Sequence, residues 1–199
     1  MINIIKSGVG NIGSIIRVLD DLEIDYKIIN SPNDFTNFPK IVLPGVGSYD
    51  SFMKSIKDKD LFKSIKIKVL EENFSILGIC VGMQSLFESS DEGKERGFGF
   101  IKGNCVRFKS FKNYKVPHLG WNEIDFVDDK SLFKNVKSNL FYFAHSFYVN
   151  TQEYELSSTF YINNFSSSVN YKKIYGVQFH PEKSYKQGKK ILENFIKLC

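Results

Sequence analysis

The sequence predicts a single α/β domain: a mixed, mostly parallel sheet flanked by helices, with antiparallel strands in the second half. Three observations predict it. Over residues 1–88, short β-branched runs alternate with stretches whose apolar residues recur at the helical period of about 3.6. Beyond residue 98 the apolar runs are closely spaced and separated by turn residues, the pattern of antiparallel hairpins. The chain of 199 residues is 42% hydrophobic and 25% charged, enough to bury one large core. No Ser- or Gly-rich linker divides it, so residues 1–199 read as one domain.

The elements follow in order. Ile2-Asn3-Ile4-Ile5 is a short buried strand, and apolar residues at 12, 15, 16, 19 and 22 predict a helix over 11–22. Residues 26–30 form a second strand and Ser31-Pro32-Asn33-Asp34 a turn. A third strand over 40–43 is expected to end at Pro44-Gly45-Val46-Gly47. Helices over 49–57 and 61–73, a strand over 75–79 and a helix over 81–88 complete the alternating half. Strands are then expected at 98–101, 105–108, 121–126, 140–150, 156–162, 165–170 and 174–179, before an amphipathic helix over 186–198.

Composition narrows the chemistry. There are three histidines (His118, His145, His180), three cysteines (Cys80, Cys105, Cys199) and one tryptophan, Trp121. Any step that needs imidazole or thiol must draw on these. Three widely spaced cysteines make no disulfide framework and fit a reducing cytoplasm. No Cys-x-x-Cys spacing occurs, so no metal site is expected. The start of the chain does not read as a signal or transit peptide, and no apolar run approaches a membrane span. The net charge of +5 comes from 24 Lys and only three Arg. Arg is the residue suited to bidentate phosphate and base contacts, so nucleic acid is not expected as a partner. The basic stretch over 54–68 is interleaved with Asp58 and Asp60 and reads as a solvated helix face.

Three motifs carry chemistry. Gly8-Val9-Gly10-Asn11-Ile12-Gly13 is a G-x-G-x-x-G after a strand and before a helix, the setting of a dinucleotide site. The acid that should hold a ribose at the end of the second strand is instead Asn30, which favours a plain glycine turn. Gly78-Ile79-Cys80-Val81-Gly82 is the cysteine form of a nucleophile elbow. A strand turns sharply into a helix, the flanking glycines avoid a clash, and the thiol is pushed out at the carboxyl end of the sheet. A helix N-terminus there favours the thiolate, although a buried inert cysteine is the alternative. Gly176-Val177-Gln178-Phe179-His180-Pro181-Glu182 supplies a base. Alternate residues of an extended chain share a side, so Glu182 can reach the His180 imidazole and fix its tautomer. Cys80, His180 and Glu182 then read as nucleophile, base and orienter.

These residues resemble the triad-type, class I glutamine amidotransferases over nearly the whole chain. Within that family, four segments resemble the glutaminase subunits of imidazole glycerol phosphate synthases. They are Pro44-Gly45-Val46-Gly47-Ser48, Pro117-His118-Leu119-Gly120-Trp121-Asn122, Tyr142-Phe143-Ala144-His145-Ser146-Phe147-Tyr148 and Gln178-Phe179-His180-Pro181-Glu182-Lys183-Ser184. The resemblance implies a class I glutamine amidotransferase fold and hydrolysis of L-glutamine through a Cys80 thioester, with no cofactor. It implies an oxyanion hole from the Val81 N–H and the Gly45-Val46 backbone. It implies that Gly47, Gln84, Glu92, His145 and Ser146 hold the glutamine, some through backbone atoms. Ammonia would pass, shielded from protonation by water, to a (β/α)8 cyclase partner in a heterodimer. That partner closes the imidazole ring in histidine biosynthesis. Asn11, Trp121 and Lys183 match positions that face such a partner. Pro117 and Gly120 suggest that Trp121 sits on a loop. For His118 and His145, hydrogen-bonded structural histidines are the simpler reading.

One departure matters. Many members of the family carry an Asp-Tyr pair before the first glycines, where this chain has Lys6-Ser7. Related subunits in bacterial cell-surface sugar pathways feed a different barrel, so the acceptor stays open at this point. A non-catalytic nucleotide-binding module and a thiol peptidase are the other readings. Neither accounts for all four segments.

Overall fold

The computed structural model describes residues 1–8, 12–111, 114–126 and 131–199. Strand β1 (Ile2–Ile5) leads to helix α1 (Gly13–Asp20) and strand β2 (Tyr26–Ile29). A 3-10 turn, Pro32–Asp34, precedes β3 (Lys40–Gly45), α2 (Tyr49–Asp58), α3 (Leu61–Leu70), β4 (Ser75–Cys80) and α4 (Val81–Gln84). The second half holds β5 (Ser89–Ser90), β6 (Asn104–Arg107), β7 (His118–Glu123), β8 (Asp125–Phe126), β9 (Leu140–His145) and β10 (Phe147–Tyr148). It ends with β11 (Glu155–Tyr161), β12 (Asn163–Tyr171), β13 (Ile174–Val177), a 3-10 turn at Pro181–Lys183, and α5 (Tyr185–Leu198).

The main sheet has the order β2-β1-β3-β4-β13-β12-β11-β8. From β2 to β13 the pairs are parallel, and from β13 to β8 antiparallel. This is the mixed sheet read from the sequence. β1 and β4 are buried along their whole length, as parallel strands covered on both faces must be. Two smaller sheets stand beside it: β10-β6-β5, and a two-stranded ribbon of β7 and β9. No helix among the described residues is long and apolar enough to cross a membrane.

Five local expectations differ from the structure. The helix after Cys80 stops at Gln84 rather than running to residue 88. The carbonyls of Ser85 and Leu86, which would continue the helix, instead accept the N–H groups of Phe98, Phe100 and Ile101. Residues 98–101 are therefore a loop folded onto the elbow helix, not a strand, with Gly99 at φ +65 and Phe98 stacked between Phe62 and Phe100. The strand expected over 140–150 breaks at Ser146, where the chain leaves the ribbon to pair with β6. Trp121 lies in the middle of β7, paired with Tyr142, and not on a loop. The third strand also runs on through Pro44 to Gly45, which pairs with Cys80.

Candidate active site

The elbow is built by close backbone packing. Cys80 ends β4 at φ 55, ψ −111, a conformation costly for a residue with a side chain. It is held there because α4 folds back onto β3 and β4. A Cβ on Gly82 would collide with the Leu43 carbonyl oxygen, and one on Gly78 would lie 2.6 Å from the Gly82 carbonyl oxygen. Only glycine fits at either position.

The strand neighbouring β4, β13, leads to His180. After Val177 the chain bends at Gln178 and Phe179 and reaches His180, whose N–H donates to the Tyr142 carbonyl at 2.8 Å. The His180 Nδ1 lies 2.8 Å from Glu182 Oε1, and Cys80 is an electrostatic neighbour of the same ring, its sulfur 3.8 Å from the Ala144 carbonyl oxygen. With Nδ1 committed to Glu182, Nε2 is the nitrogen that serves the thiol. Burial works to lower the His180 pKa. The negative charge and hydrogen bond at Cys80, with the Glu182 carboxylate, outweigh it and push the pKa up to about 10. Glu182 Oε2 is buried without a hydrogen-bond partner, so Oε1 carries the contact alone.

The triad opens into a cavity of about 580 Å³. Val46, Gly47, Cys80, Val81, Gln84, Glu92, His145, Ser146, His180, Glu182 and Lys183 all line it. Gly45 lies just behind, and a Cβ there would fall 2.5 Å from the Gly82 nitrogen. Gly47, at φ +83, lies beyond the end of β3, so the Val46-Gly47 step is the free part of that segment. Glu92 accepts the Tyr49 N–H at the start of α2 at 3.0 Å, while burial raises its carboxyl pKa. Gln84 donates through Nε2 to the Phe147 carbonyl and to Gln178 Oε1, both at 3.0 Å. Both ring nitrogens of His145 are occupied, by His118 and the Phe147 carbonyl. Any contact of His145 with a ligand must therefore use its backbone or ring face.

The family model for glutamine amidotransferase class-I matches residues 3–199. The chain belongs to the class-I glutamine amidotransferase family. It is 44% identical over 200 residues to imidazole glycerol phosphate synthase subunit HisH 2 of Methanococcus maripaludis, covering 99% of each chain. It is 41% identical over 201 residues to the HisH subunit of Methanocaldococcus jannaschii, covering 100% of each. A solved glutamine amidotransferase structure superposes with a TM-score of 0.78 at 15% identity, over 100% of this chain and 98% of that one, and shares the fold.

The remaining expected positions of this amidotransferase are Lys183, Trp121 and Asn11. Lys183 is exposed, with its ammonium 5.5 Å from the centre of the Tyr142 ring. Trp121 does not line the cavity. It is 40% exposed on the ribbon, stacked at 5.1 Å on Tyr185 and edge-on to Tyr142. Asn11 lies outside the described residues, as do Val9 and Gly10 of the first glycine motif. The cavity also uses Ser14, Pro117, Leu119, Ala144 and Phe147, which the sequence reading did not assign. Leu119, 66% exposed, follows from strand alternation once the register at buried His118 is known. The role of Phe147 is carried by its carbonyl oxygen, for which side-chain chemistry gives no signal.

Proposed function

We propose that residues 1–199 form one amidotransferase domain that is the glutaminase subunit of an imidazole glycerol phosphate synthase. The observation that carries the chemistry is the buried Cys80–His180–Glu182 arrangement at the mouth of an amino-acid-sized cavity. Cys80 attacks the side-chain amide carbon of L-glutamine. The tetrahedral oxyanion is met by the Val81 N–H and the backbone at Gly45-Val46. His180 holds the thiol proton and passes it to the departing nitrogen, releasing ammonia and leaving a γ-glutamyl thioester. Water, deprotonated by His180, then hydrolyses the thioester to glutamate. Glu182 keeps the imidazolium oriented and compensated. Gly47, Gln84, Glu92, His145 and Ser146 surround the amino-acid end of the substrate, with His145 acting through backbone or ring face.

The ammonia passes to a (β/α)8 cyclase partner that forms imidazole glycerol phosphate and an aminoimidazole carboxamide ribotide in histidine biosynthesis, in the cytoplasm. Full-length similarity to subunits bearing that name supports this acceptor. The exposed aromatic pair Trp121–Tyr185 and Lys183 beside the cavity suit a partner-facing rim. Asn11 belongs to the same proposed interface. Lys6-Ser7, which departs from the family pattern, leaves open a second reading, a barrel of cell-surface sugar synthesis.

The test is glutamine hydrolysis with and without the barrel subunit. Wild type is expected to be slow alone and accelerated by the barrel, and Cys80→Ala inactive in both. Retained turnover in Cys80→Ala removes the nucleophile. Histidine genes beside this one support the first acceptor, and sugar-aminating genes the second.

A further inference from the structure

Two histidines that take no part in the chemistry stand directly opposite each other on the ribbon, His118 on β7 and His145 on β9. Both are at least 95% buried, and their rings meet through His118 Nδ1 and His145 Nε2 at 3.0 Å. The bonds around them fix every proton. His145 Nδ1 faces the Phe147 carbonyl at 2.8 Å, so it carries the hydrogen and Nε2 is an acceptor. His118 must then donate from Nδ1, which leaves its Nε2 as an acceptor. Asn122 fills that place, with Nδ2 3.2 Å away. The Asn122 amide cannot be turned over, because its Oδ1 accepts the Glu123 N–H at 2.8 Å and its Nδ2 also reaches the Phe160 carbonyl.

The chain of bonds ends at the cavity. The Phe147 carbonyl that receives His145 also receives Gln84 Nε2. Because Nε2 is further tied to Gln178, Gln84 spends its donors inside the wall and turns Oε1, a pure acceptor, away from them. Burial lowers the His118 pKa to about 4 and the His145 pKa to about 3, so both rings stay neutral near pH 7 and the order of donors persists. His118 is also clamped between the Tyr161 ring at 4.0 Å and the Phe143 ring at 4.7 Å.

We propose that Asn122, His118 and His145 form a one-way hydrogen-bond relay that positions the Gln84 amide from the exposed ribbon, making His118 a positioning residue for glutamine binding. This rests on the glutaminase reading of the cavity. The chain holds the Phe147 carbonyl in place, and with it the Gln84 amide that donates to the same oxygen.

Alkylation of the full chain by a diazoketone analogue of glutamine tests it, because the saturation constant KI reads binding and the limiting rate reads Cys80 chemistry. His118→Asn keeps a donor where Nδ1 lies, whereas His118→Gln keeps only the Nε2 place. The expected result is a KI within about threefold of wild type for His118→Asn and raised about tenfold for His118→Gln, with limiting rates alike. Asn122→Ala, at a half-buried site, should raise KI about threefold and guards against loss of folding in the ring variants. Equal KI in wild type, His118→Gln and Asn122→Ala overturns the relay alone. A limiting rate that falls in step with melting temperature, with KI unchanged, also overturns it. Wild type that shows no saturable labelling overturns the glutaminase reading and the relay with it.

Discussion

The two halves of the site are held by different forces. On the parallel side, Cys80 is fixed by backbone against backbone: β3, β4 and α4 meet so closely that Gly78 and Gly82 admit no side chain. Facing it, His180 and Glu182 beyond β13, His145 on the antiparallel ribbon and Gln84 at the end of α4 are fixed by side-chain hydrogen bonds with defined donors and acceptors. Steric packing is short-ranged and insensitive to pH. A polar network in a buried wall is directional and depends on protonation. The nucleophile is therefore expected to fail by distortion, and the opposing wall by loss of a proton or a partner.

The largest break in this contrast should come from Gly82→Ala. Its Cβ has no space before the Leu43 carbonyl, so α4 must move bodily. A loss above about 3 kcal/mol in urea unfolding, or failure to fold, is expected. Wild-type stability would mean the elbow is not sterically locked.

On the other side, Glu182→Gln keeps the shape and removes the charge beside His180. Its kcat for glutamine should fall about 10²–10⁴-fold while the melting temperature changes little. Removing that charge takes away one of the causes that raise the His180 pKa, so the ring should titrate lower than about 10.

Acid should separate the histidines themselves. His118 and His145 have folded pKa values near 4 and 3, below the 6.5 of an unperturbed ring. The unfolded chain therefore binds more protons as pH falls from 6.5, and their stabilisation, complete above 6.5, drains away toward the folded values. Stability should drop by about 2–4 kcal/mol between pH 6.5 and 4.5. His180 behaves oppositely. Its contribution is complete below 6.5 and lost as pH rises through about 10, so it does not interfere in the acid window. Urea melts read the slope, and ring NMR at pH 5 should find two neutral histidines and one charged.

The smallest effect should come from Cys80→Gly. It relieves the positive φ of Cys80, so stability should rise by about 1 kcal/mol as activity is abolished. A less stable variant would mean the backbone is not strained there.

The same division explains what could be read from the sequence. The parallel half was legible because buried strands, helical periods and the Gly78-Cys80-Gly82 spacing are local patterns. Its main failure, the helix cut short at Gln84, arose from the loop over 98–101, which takes the helix carbonyls across the chain. The antiparallel half gave up its strands but not its breaks. The switch at Ser146, the strand position of Trp121 and the pairing of His118 with His145 depend on ribbon register, which no short window encodes. The proximity of Cys80, His180 and Glu182 was legible because they follow the ends of adjacent parallel strands in recognisable motifs. The relay was not, because two of its links are main-chain carbonyls.

The central claim, that Cys80 is the nucleophile served by His180 and Glu182, is tested most directly by trapping the acyl-enzyme. The full chain with the proposed barrel partner is mixed with glutamine, quenched in acid during turnover and mapped by peptide mass spectrometry. One γ-glutamyl group on the Cys80 peptide, absent from Cys80→Ala, is the predicted result. Sustained turnover with no adduct, or an adduct on Cys105 or Cys199 instead, would contradict it.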